Sequence, residues 1–107
     1  MSGLESGSVD TMGTMTNAGQ PTTADLSASE LVVLWDTMCD ASNDVRAACA
    51  WLARHAATAE ESERWWAESR EILADRRRVD LDDIPAQVAA RERYRARVRE
   101  LDALIDE

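Results

Sequence analysis

From Asp44 to Arg77 the chain runs for 34 residues without a glycine or a proline. These two residues break helices most readily, so their absence leaves the backbone free to stay helical over roughly 50 Å, at about 1.5 Å rise per residue. The side chains supply a matching period. Val45, Ala48, Cys49, Leu52, Ala56, Ala59, Ser62, Trp66, Ser69 and Leu73 recur mostly at three- and four-residue steps, close to the 3.5 average of left-handed helix pairing. The favoured reading is one continuous helix over about 44–77. A rival reading ends one helix near Ala57 and begins another at Thr58, because "TAEE" also fits a capping box.

Two further helices flank this segment. In "LSASELVVLWDTMCD" Ser27 and Glu30 form a capping box, and Leu31, Leu34, Trp35 and Met38 share a face. "ASND" then reads as a break, with Ser42 or Asn43 capping the long helix. "VDLDDIP" reads as a loop in which Asp82 or Asp83 caps a third helix and Pro85 sits in its first turn. That helix is expected from about Ile84 to Asp106, with Ile84, Val88, Tyr94, Val98, Leu101 and Ile105 on one face. No stretch alternates as a strand would. The expected fold is all-α: three helices, with a long central one (about 44–77) packed antiparallel by a short N-terminal helix and by the C-terminal helix. Residues 1–25, rich in Gly, Ser and Thr and without apolar period, read as a disordered leader to a helical domain over 26–107.

Charge narrows the function classes. All 12 basic residues are arginine and the net charge is −9, which opposes nonspecific binding to DNA or to an anionic membrane. Arginine without lysine, beside abundant alanine, reads as codon bias in a high-GC bacterial or phage genome. The chain has no 18-residue apolar run and no basic segment leading into an apolar one, so a cytoplasmic location is expected. Cys39 and Cys49 make no disulfide framework, and with His55 they match no zinc spacing. Neither a metal nor a cofactor is expected.

Two arginine clusters invite a nucleic-acid reading. Arg76, Arg77 and Arg78 complement a helix C-terminus, and between Asp75 and Asp83 four aspartates outnumber them. In "RERYRARVRE" a 200° step between alternate positions separates Arg91, Arg95 and Arg99 from Arg93 and Arg97. Glu92–Arg95, Arg97–Glu100 and Arg99–Asp102 stand as i,i+3 surface pairs. Arg91, Arg95 and Arg99 are therefore candidates for contact with an anion or with an acidic partner.

The tryptophans point to an interface. Trp65 and Trp66 lie 100° apart, so Trp66 continues the main stripe while Trp65 with Ile72 starts a second apolar edge. Trp51 also lies off the stripe. Glu63 and Arg70, one heptad apart within the stripe, read as a pair fixing register. Trp51, Trp65, Trp66, Ile72, Glu63 and Arg70 are thus the expected interface, with a homodimer or another protein as partner. No nucleophile–base spacing, glycine-rich phosphate loop or HExxH is present, and no catalytic residue is assigned.

The size and hairpin are similar to those of the small helical secreted proteins of high-GC bacteria. Their Trp-x-Gly turn is absent, however, and Val98 follows Tyr94 where their export signal has an acid, so no function is carried over. The expected role is a protein–protein interaction module, regulatory or accessory to assembly, as phage or antitoxin-type binding proteins are. The alternatives are a nucleic-acid-binding regulator using the third helix and, more remotely, a small helical enzyme.

Overall fold

A computed structural model describes residues 26–107; the expected leader lies outside the described residues. Three helices follow in order: α1 over Ala28–Arg54, α2 over Ala59–Arg77 and α3 over Ile84–Ile105. No strand occurs among the described residues. The all-α, three-helix expectation holds, but the long helix over 44–77 does not. The chain is continuous through "ASND" and breaks at residues 55–58 instead.

Side-chain chemistry accounts for both corrections. The Ser42 hydroxyl donates to the Cys39 carbonyl at 2.7 Å, one turn back in the same helix. Arg76 of α2 then donates to Ser42 Oγ and to Asn43 Oδ1, at 3.2 Å each. Ser and Asn inside a helix cost only some tenths of a kcal/mol each relative to alanine, and this docking contact offsets that. At 55–58 the local signals agree on a stop. His55 Nδ1 lies 2.8 Å from the Trp51 carbonyl and its ring stacks on Trp51, with centroids 3.8 Å apart. Thr58 Oγ1 accepts from the Glu61 amide at 3.0 Å, and Glu60 and Glu61 complement the positive end of α2. Replacing Thr58 with alanine is expected to lower the unfolding free energy by about 0.5–2 kcal/mol. Urea denaturation checks this, and an unchanged midpoint would show that the cap is not needed.

The other caps follow the sequence. Ser27 and Glu30 exchange both capping-box bonds, at 3.2 and 2.8 Å. Asp83 caps α3 by accepting from the Ala86 amide at 3.1 Å. The fully buried Gln87 donates to the Asp80 and Leu81 carbonyls at 3.1 and 2.8 Å, which pins the connection from α2 to α3.

The helices run up, down and up. Arg46 meets Ser69 and Arg76 meets Ser42, so α1 and α2 are antiparallel. Glu68 meets Arg97 and Asp75 meets Tyr94, so α2 and α3 are antiparallel as well. α1 and α3 are therefore parallel, with Thr37 beside Arg91. The longest element is α1, about 40 Å by its residue count, and the end of α2 meets it near Ser42. The earlier turns of α1 pack chiefly on α3. Each inner face keeps near-heptad spacing: Leu34, Met38, Ala41, Val45 and Ala48 on α1, and Ile84, Tyr94, Val98, Leu101 and Ile105 on α3. On α2 the inner face is Ser62, Trp65, Ser69 and Ile72, and Ser69 alone is fully buried.

Candidate functional site

The thin apolar face of α2 is supplemented by a polar layer toward α3. Arg97 holds Glu68 through two parallel bonds, Nε–Oε2 at 2.7 Å and Nη2–Oε1 at 2.8 Å, and reaches Glu100 at 2.8 Å. The bidentate hydrogen bond to Glu68, then that to Glu100, pushes the Arg97 pKa upward. One turn above, Asp75 Oδ2 accepts from the Tyr94 hydroxyl at 2.7 Å and from Arg93 at 3.0 Å. The Tyr94 hydrogen bond holds the Asp75 carboxyl below its usual range against the opposing effect of burial, and Arg93 assists. Burial, then the bond and charge of Asp75, raise the Tyr94 phenol in turn. These groups border an open groove of about 960 Å³. Glu68, Asp75, Arg93, Tyr94 and Arg97 are satisfied by one another, which makes the layer a clamp between helices.

Three neighbouring hollows between α1 and α3, none lined by a residue of α2, together make up a second groove. At its head lie Val33, Leu34, Val88 and Arg91, around a hollow of about 300 Å³. Its middle, about 310 Å³, sets Asp40 and Asp44 of α1 across from Arg95 and Arg99 of α3. Its foot, about 410 Å³, is lined by Asp44, Ala47, Trp51, Val98 and Ile105, with Asp102 on the α3 side. The middle section carries acids along one wall and arginines along the other. Among the described residues, Asp40, Asp44, Arg95 and Arg99 close no ion pair with each other.

The expected site residues are dispersed. Trp65 and Ile72 are not an uncovered edge; both are half-buried against the core. Trp66 does not continue the stripe, and it and Trp51 are each 37% exposed. Ser62 and Ser69 stay on the inner face, which turns by about 50°, half a residue at 100° per residue, so that Trp65 and Ile72 replace Trp66 and Leu73 on it. Glu63 and Arg70 do pair, but on the solvent side of α2 rather than in a seam. Arg91 is half-buried and donates to Thr37 Oγ1 at 3.2 Å, while Arg95 and Arg99 are exposed. Of the three i,i+3 pairs, Arg97–Glu100 alone closes among the described residues. Of the arginine triplet, Arg76 docks on α1 and Arg78 approaches Asp75 at 3.7 Å.

Glu68 and Asp75 were not singled out from sequence. Their signal was available: counting by heptads from Ser62 places Trp65, Ser69 and Ile72 inward, with Glu68 and Asp75 on the flank that meets α3. Cys49 is fully buried, and burial pushes its thiol up to about 11. Cys39 is half-buried and shifted the same way, chiefly by burial. No described helix is long and apolar enough to cross a membrane. Comparison with family models, curated proteins and solved structures finds no match to this chain.

Proposed function

We propose that the chain is a small helical protein–protein interaction module that works as a homodimer, with a regulatory or assembly accessory role of the kind that phage or antitoxin-type binding proteins have. The observation that carries this reading is apolar surface left outside a thin core. Val32, Val33 and Leu81 are 57–64% exposed, while α2 contributes little beyond Ser69 to the fully buried interior. A bundle of this size gains the burial it lacks by associating. Sedimentation across a concentration series tests the reading directly; a species that stays monomeric into the tens of micromolar argues against a working homodimer.

The alternative, a nucleic-acid regulator using α3, is less favoured because its arginines face acids. Arg93 and Arg97 are held by Asp75 and Glu68, and Arg95 and Arg99 stand across a groove from Asp40 and Asp44. Fluorescence anisotropy with labelled duplex DNA and single-stranded RNA is expected to show no salt-sensitive binding tighter than about 1 μM. Tighter binding that is lost on Arg95→Glu would reverse the preference.

A further inference from the structure

We infer that the α1–α3 groove is the surface on which a second copy of this chain docks, in parallel, about a two-fold axis lying along the groove. This rests on the reading of the chain as a homodimer and assigns that reading a surface. The argument is one of symmetry and charge. Asp40 and Asp44 stand along the α1 wall, and Arg95 and Arg99 stand along the α3 wall at the same height. A two-fold axis running along the groove carries α1 of one copy onto α3 of the other without changing height. Asp40 and Asp44 then face Arg95 and Arg99 of the second copy, and the symmetry repeats the set. An axis running across the groove would instead set α1 on α1 and acid on acid. The charge pattern selects the first arrangement.

Apolar residues stand at both ends of the charged stretch. Val33 at the head and Trp51 at the foot are exposed, and the same operation sets them against the half-buried Val88 and Ile105 of the second copy. The groove extends over most of α1 and is two helices wide. At about 1.5 Å per residue and 8–10 Å between axes, it offers roughly 700 Å² per copy, near the about 800 Å² of a standard interface. No intrachain ion pair among these four charged residues needs to be broken first.

The test is a charge swap read by sedimentation and light scattering at low salt. Asp40→Arg/Asp44→Arg makes both walls basic, and Arg95→Asp/Arg99→Asp makes both acidic. Each variant alone is expected to weaken dimerisation about a hundredfold or more, because like charges then face across the axis. An equimolar mixture of the two is expected to recover a dimer, since every wall again meets its opposite. Far-UV circular dichroism verifies that each chain is folded. Where a reversed chain loses helicity, the neutral variant Arg95→Gln/Arg99→Gln replaces it, with about a tenfold weakening expected. A wild-type dimer indifferent to these changes overturns the inference and leaves the homodimer reading standing, as does a mixture that stays monomeric. A wild type that is monomeric up to about 100 μM overturns both.

Discussion

Truncating Leu101 to alanine is expected to lower the unfolding free energy by about 2–5 kcal/mol. Leu101 is fully buried in the cluster formed with Met38, Val45, Cys49 and Tyr94. The loss combines the transfer energy of the deleted carbons with the cavity left behind. A domain of this size has a total stability of about 4–12 kcal/mol, by the usual 0.05–0.15 kcal/mol per residue. The substitution therefore removes a large share of it, and the urea midpoint moves accordingly. Leu104, three residues on and 44% exposed, is the control: its alanine variant stays within about 0.5 kcal/mol of wild type. If the two variants behave alike, α3 is not oriented as described.

Asp75→Ala is expected to cost about 1–3 kcal/mol near neutral pH, chiefly because it strands the buried Tyr94 hydroxyl. The same residue gives a signed pH dependence. Its folded pKa lies below the ordinary carboxylate value, so the unfolded chain takes up a proton at higher pH than the folded one. The stabilisation is complete above the ordinary value, about 3.9, and is lost as pH falls through the lower folded one. Tyr94, shifted upward, loses its contribution at the opposite extreme, as pH rises above the ordinary phenol value of about 10. Urea titrations at pH 7 and near pH 3 on the wild type and Asp75→Ala isolate the Asp75 contribution. The gap between the two proteins should narrow in acid. A constant gap would mean that the carboxylate charge contributes nothing.

The fold was legible where a decision depended on neighbouring residues alone. Ser27 with Glu30, Asp83 with Pro85, and most of the inward period of α3 carry over from sequence to structure; Val88 does not, since Gln87 and Ala90 are buried at that height and Val88 lines the groove. Deciding between a break at "ASND" and one at 55–58 was different, because both stretches hold plausible caps. What favours continuity at "ASND" is Arg76 reaching Ser42 and Asn43 from 34 and 33 residues away, a contact that no window of local sequence displays. The error then propagated. With the break placed at "ASND", the sequence pattern sets Trp66 inside and Trp65 outside, gives Glu68 no role, and gives Asp75 only that of a charge beside the arginine triplet. Arg95 and Arg99 are identifiable as a stripe that could meet acids of the first helix or of another chain; of the two acids across the groove, Asp40 lies within the short first helix of the sequence reading, while Asp44 falls at the start of the long second one.

An odd number of antiparallel passes has a mechanical corollary. Since α1 and α3 point the same way, the described chain enters at one pole and leaves at the other, separated by about the 40 Å length of α1. The backbone at Leu26 and at Glu107 therefore emerges at opposite poles and in opposite directions. The bundle thus spaces its two ends apart as well as offering a surface. Two such spacers laid side by side in parallel would gather both leading ends at one pole and both trailing ends at the other, giving a bivalent rod with distinct tips.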